Sequence, residues 1–336
     1  MAERPPSPPD PGATVRADLT RVLSAIAVVS GDAVRFAGGD PVPVQGAAGS
    51  DEALTQTLQH TLYSQAYAHR LGGPPAVAPP PDPAFLPTLV AANTGREQWN
   101  SGWVIQLSAP NGQVFVKKGE RERVAQPGSF ILDNAVGGAP QPGNSVLLRV
   151  PAGAIDAQPG WYFAFGETLD EAADQFGLMR LYFNCAATTA PGLLGALTQA
   201  LNRFQTPFQM KAPSDAALYG RTDALVLYVA PRYLPIVLRI VDGLRGGFAL
   251  NLDAPLFAKP IWPGIAGAAD PGKGESFGMH RCRLVSEAVV QAWRAGVHDP
   301  SEWLEAVDGR FVAAGLDPAR PWLGRPGGDP FQRPVG

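Results

Sequence analysis

FQMKAPSDAALYGRTDALVLY, running from Phe208 to Tyr228, decides how this chain is read. Its first residues alternate: Gln209 and Lys211 oppose Phe208 and Met210, the period of a short strand. Ala224 to Val229 is an apolar strand, and Arg221 leads into it toward Tyr228. Upstream, RLYFN (Arg180 to Asn184) follows the same rule, with Arg180, Tyr182 and Asn184 on one face and Leu181 and Phe183 on the other. An amphipathic helix from Leu193 to Phe204, led in by Thr189 and Pro191, connects the two stretches. Strands so spaced bring a lysine, two arginines and a tyrosine toward one wall. Like charges repel. A lysine among arginines makes sense when an anion sits between them.

Working outward, Val15 to Val29 reads as a helix with Leu19, Val22, Leu23 and Ile26 on one stripe. A second helix starts after Ser50, an N-cap followed by Asp51 and Glu52 at the positive end of the dipole, and is expected to stop at Gly72 and Gly73. A third covers Phe85 to Ala92. From Gly102 the period falls to two, giving the strands WVIQLSA, QVFVKK, SFILDN, SVLLRV and WYFAFG, separated by turns such as Asn-Gly and Gln-Pro-Gly. Tyr233 to Leu244 is a helix with Pro235 in its first turn, PLFAKPIWPG a loop, and Gly278 to Ala295 the final long helix, with Ser276 as N-cap. The expected fold class is α+β: N-terminal helices and an antiparallel meander, then a mixed sheet with flanking helices.

The chain has 336 residues, 45% hydrophobic and 17% charged, enough for a sizeable core. A net charge of −3 leaves no bulk footprint for nucleic acid. The two cysteines, Cys185 and Cys282, form no metal-binding cluster with the histidines, and with no secretory leader they fit a reducing cytoplasm. No apolar run is long enough to span a membrane. Walker-type loops, GxSxG elbows and HExxH are absent. Trp99, Trp103 and Trp161 read as aromatics packed in the core or turns rather than as a ligand platform.

Each candidate residue carries two readings. Lys211 is either a general base, its pKa lowered by desolvation and neighbouring cations, or an ordinary lysine on an edge strand. Arg180 and Arg221 either hold a phosphate or carboxylate through their planar donor forks, with Tyr182 as proton or hydrogen-bond donor, or belong to a solvated strand face. Arg281 heads the apolar stripe of the last helix, where it reaches an anion beside the helix N-terminus or pairs with a carboxylate such as Asp223. His280 is an acid or a structural histidine, and Lys259, in FAKP, a second anion contact or a solvated loop lysine.

The string RLYFN, PFxxK, YxRxDAxVLY, FxKPxxPG and SFGxHRCRL resembles the HopA family of type III secretion effectors and its relatives in the biosynthesis of class V lanthipeptides and thioamitides. GREQWNSGW and PGWYFAFG extend the resemblance upstream. That family in turn resembles phosphothreonine lyases. The resemblance implies β-elimination of phosphate from a phosphorylated precursor peptide, giving dehydroamino acids. Lys211 then matches the base, and Arg180, Arg221 and Arg281 match phosphate-holding positions, with Lys259 beside them. Tyr182 stands where a histidine acid is expected, so Tyr182, His280 or a water held by them would serve. The implied partners are the precursor peptide and an aminoglycoside-phosphotransferase-like kinase, with no nucleic acid, membrane, metal or organic cofactor. Alternatives are a non-catalytic phosphopeptide-binding or kinase-activating partner, and a host-directed effector. The expected division is a disordered tail (1–14), a helical and antiparallel part for peptide recognition (15–170) and a lyase-like α+β domain (171–336).

Overall fold

The computed structural model describes residues 10–29, 31–45, 49–71, 80–133, 138–169, 177–272 and 274–334. Most of the expected tail, and the Gly72–Gly73 stop, lie outside these residues. The fold is α+β, with three sheets.

Helix α1 (Pro11–Ser24) begins inside the expected tail, because Asp10 accepts hydrogen bonds from the amides of Gly12 and Ala13 and Pro11 suits the first turn. Its buried stripe is Val15, Leu19, Val22 and Leu23. The helix does not continue to Val29. The β-branched run Ile26–Val29 becomes β1 and pairs with β2 (Ala33–Phe36), which pairs with β3 (Val42–Pro43). Helix α2 (Asp51–Leu62) is capped by Ser50 as expected and runs on into a π-helical turn, Tyr63–Tyr67. Helix α3 spans Phe85–Ala92.

The meander forms a five-stranded sheet in the order β6-β5-β4-β8-β7. Its strands are β4 (Gln98–Ser108), β5 (Val114–Lys118), β6 (Arg121–Ala125), β7 (Phe130–Leu132) and β8 (Ser145–Val150). Trp103, Ile105, Val114, Val116, Ala125, Val146 and Leu148 give it a small core of its own.

The site rests on the seven-stranded sheet. Its strands are β9 (Gly153–Ala154), β10 (Trp161–Phe165), β11 (Met179–Phe183), β12 (Gln209–Pro213), β13 (Leu225–Val229), β14 (Lys259–Trp262) and β15 (Ile265–Ala269), in the order β14-β15-β11-β13-β12-β10-β9. The expected mixed sheet is antiparallel throughout. Helix α4 (Ala190–Arg203) does link two parallel strands, β11 and β12, but β13 inserts between them and pairs antiparallel with both. The division expected at 170/171 falls between β10 and β11, which share this sheet. The loop expected around Lys259 is strand β14, at the sheet edge, where Pro260 lacks only a hydrogen bond that an edge can forgo.

One face of the sheet carries Leu181, Phe183, Met210, Leu225 and Leu227, which share the main core with Leu193, Leu197 and Leu201 of α4 and Val237 and Val241 of α5 (Leu234–Arg245). Helix α6 (Phe277–Arg294) packs on α2 and on α7 (Trp303–Ala313). The last helix is therefore α7, not α6. The segment after α7 returns across the sheet: the Trp322 carbonyl accepts from the Ala269 amide, and Phe331 fills the space above Gly267, where a Cβ would stand 2.4 Å from its ring. No helix among the described residues is long and apolar enough to cross a membrane.

Candidate functional site

The strand register assembles the site. Lys211 on β12 stands opposite Val226 on β13, and Val226 stands opposite Tyr182 on β11. The next row on the same face is Gln209, Tyr228 and Arg180. On β10, Phe163 pairs with Lys211, and Trp161, two residues away, projects to the same side. Tyr63 and Tyr67, four apart on the π-helical turn, stack at 5.3 Å over this face. The turn is tied to the approach to β13 by Thr222, whose amide and hydroxyl both donate at 2.8 Å, to the carbonyls of Ala68 and Tyr67. The cavity between them measures about 300 Å3 and also takes in Gln158, Asp223, Asp270 and the segment Gly274–Ser276 that leads into α6.

The cations here are held unequally. Arg180 is buried and fixed to Asp270 through Nε at 2.7 Å and Nη2 at 2.6 Å, with its plane 5.0 Å from the Tyr228 ring. Arg221 grips Asp223 through Nε at 2.8 Å and Nη2 at 3.1 Å, and Nη2 also donates to the Tyr63 hydroxyl at 3.0 Å. Each guanidinium keeps Nη1 without a protein partner among the described residues.

Lys211 differs. Its amine makes no hydrogen bond or ion pair among the described residues and lies 3.9 Å from the centre of the Trp161 ring. Burial lowers its pKa to about 8; the Asp223 charge works against this shift, while Arg180 and Arg221 reinforce it. Tyr182 is fully buried, and its hydroxyl has no hydrogen-bond partner among the described residues. Burial raises its pKa, so the phenol stays protonated at neutral pH.

The expected site residues therefore divide. Lys211, Arg180 and Tyr182 line one cavity, and Arg221 braces its wall. Lys259 is elsewhere: in register with Gly267 and, through it, Leu181, it faces the opposite side of the sheet. There its amine is held by Asp329 at 2.7 Å and the Phe331 carbonyl at 2.8 Å. Arg281 is wholly buried and donates to the carbonyls of Pro321 at 2.8 Å and Leu323 at 2.9 Å, and to His280 Nδ1. It secures the returning C-terminal segment rather than the cavity. His280 is outside the lining, and burial, then Arg281, depress its pKa to about 4, so it is neutral and poorly suited to give up a proton.

Trp161, expected as a packing residue, is a wall of the cavity. Tyr63, Tyr67, Asp270 and Glu275 were not singled out from sequence. The spacing of four between the two tyrosines at the end of an amphipathic helix is the signal that marks them as one surface.

Two solved structures are similar in outline. The effector protein from Pseudomonas syringae pv. tomato strain DC3000 aligns at 15% identity with a TM-score of 0.47, covering 82% of this chain and 96% of its own. The effector protein from Pseudomonas syringae pv. syringae strain 61 aligns at 14% identity with a TM-score of 0.41, covering 82% and 91%. No curated protein matches. The HopA1 effector protein family matches residues 154–323, which contain β10 to β15, α6 and the lysine, arginines and tyrosine of the cavity. The chain belongs to the HopA1 effector protein family.

Proposed function

We propose that the cavity is the active site of a phosphoserine/phosphothreonine lyase acting on a peptide. The observation that carries this reading is Lys211: an amine with no carboxylate partner among the described residues, over an aromatic face, with a pKa lowered to about 8 beside two arginines. Lysine in bulk water stays charged at neutral pH, but this one is partly neutral and able to accept a proton from carbon.

The reaction balances with these groups alone. Lys211 Nζ takes the α-proton of the phosphorylated residue. The C–H electron pair becomes the second Cα–Cβ bond, and the Cβ–O bond breaks with its pair on the departing oxygen. The Tyr182 hydroxyl supplies the proton that lets the group leave as hydrogen phosphate. Arg180 receives the phosphate through its Nη1 nitrogen, and its charge together with that of Arg221 behind the wall keeps the dianion from drawing a proton back onto Lys211. Holding amine and substrate in this geometry lowers the barrier by up to about 7 kcal/mol. The products are a dehydroamino acid and inorganic phosphate.

The substrate is a phosphorylated precursor peptide supplied by a kinase-like partner, and the five-stranded sheet, with β6 and β7 as its edges, is the part left to grip the flanking peptide. The test is to mix the chain with phosphopeptide, with and without the kinase, and follow loss of phosphoric acid by mass spectrometry. Binding without elimination under both conditions rejects the lyase in favour of a phosphopeptide-binding partner.

A further inference from the structure

We propose that Val226 reads the carbon that loses phosphate, and that it makes the site prefer phosphothreonine over phosphoserine. This rests on the lyase reading and adds to it the choice of substrate.

The argument is one of register. Lys211, Val226 and Tyr182 form one row across three adjacent strands, with Val226 in the middle. Neighbouring strands lie about 4.8 Å apart, so the backbones that carry the base and the phenol are separated by roughly 10 Å. An elimination needs the base within about 3 Å of the α-proton and the proton donor within about 3 Å of the leaving oxygen. The Cα–Cβ–O unit fills the interval between those two contacts. A residue so held has its β-carbon above the middle of the row, which is Val226.

The surroundings of that point are chemically uneven. Among the described residues, Val226 is the one aliphatic side chain lining the cavity, and it is 4% exposed. The other described residues around the cavity are aromatic, charged, amide, hydroxyl or glycine. An apolar floor directly beneath the β-carbon favours a methyl there over a hydrogen. It leaves the phosphate oxygens to Arg180. One methyl in an apolar contact is worth about tenfold in discrimination.

The experiment uses the full chain and two phosphopeptides that differ only in phosphothreonine or phosphoserine at one position. The readout is the ratio of their kcat/KM values, which is insensitive to uniform loss of activity or of folded protein. The wild type is expected to favour phosphothreonine about tenfold. Val226→Ala removes the apolar floor, and Val226→Thr keeps its shape while adding a hydroxyl. Each is expected to bring the ratio below about threefold. A ratio unchanged in both variants, or a wild-type preference for phosphoserine, overturns the role of Val226 while the lyase stands. Absence of elimination from both peptides by the wild type removes the lyase itself, and the specificity with it.

Discussion

The amine of Lys211 rests 3.9 Å from the centre of the Trp161 ring, and among the described residues no carboxylate holds it. An aromatic face stabilises a cation, but it cannot accept a proton or fix an amine as a carboxylate would. Lys211 therefore carries a charge it can lose. Replacing it tests the central assignment. Lys211→Ala and Lys211→Arg should both abolish elimination, the latter because a guanidinium stays protonated. Affinity for phosphopeptide, measured by titration calorimetry, should fall only several-fold.

The same lysine sets the pH dependence. In the proposed lyase the base works when neutral, and the Lys211 pKa is lowered to about 8. With substrate well below KM, the rate should rise through pH 8 and level off above it, well short of the pH at which an ordinary lysine titrates. A profile flat between pH 6 and pH 9 would remove Lys211 from the role of base.

A stability consequence accompanies this. Burial depresses the Lys211 pKa in the folded chain, whereas in the unfolded chain it returns to the ordinary value. Between the two values the unfolded state binds more protons, so this group's contribution becomes more favourable as pH rises through that window. Below it, the buried ammonium is a net cost. Lys211→Met should raise Tm by a few degrees at pH 7, and the gain should shrink toward pH 10 in thermal melts.

Gly278, in the first turn of α6, lies against Tyr67: a Cβ there would stand 2.4 Å from the ring. Gly278→Ala must push Tyr67 toward the cavity or lift the helix. It should cost about 1–3 kcal/mol of stability. Phosphopeptide affinity should drop as well, although no residue that touches phosphate has changed.

Arg281 and Arg180 should separate cleanly. Arg281→Met leaves the carbonyls of Pro321 and Leu323 buried without their donor, at a cost of roughly 2–5 kcal/mol. Limited proteolysis should then open the chain near residue 320. Arg180→Lys keeps the charge but loses the fork, and should weaken phosphate binding with a smaller change in melting temperature.

The strand faces were legible because their signal is local. Alternation alone put Arg180 and Tyr182 on one side and Leu181 and Phe183 on the other, and it set Lys211 apart from Met210. Legibility failed where the partner is distant in sequence. Arg281 was recognised as buried on the apolar stripe, but its partners are carbonyls about forty residues further along, which no helix pattern reveals. Lys259 reads as a loop residue in sequence, yet it lies on an edge strand, which tolerates the proline that follows it. Trp161 sits under Lys211 only because β10 pairs with β12. Two further elements do carry a local signal. Trp303, Val307 and Phe311 recur every four residues and announce α7, and the β-branched residues after Ala25 argue against continuing α1.

Because β10 is hydrogen-bonded to β12, the chain cannot be trimmed to its second half. A fragment starting at residue 171 would strip β12 of its neighbour and turn the strand bearing Lys211 into a raw sheet margin, ready to zip onto another copy. Any attempt to cut this scaffold down to its cavity has to keep the upstream ribbon, since solubility and the cavity wall are stitched along the same seam.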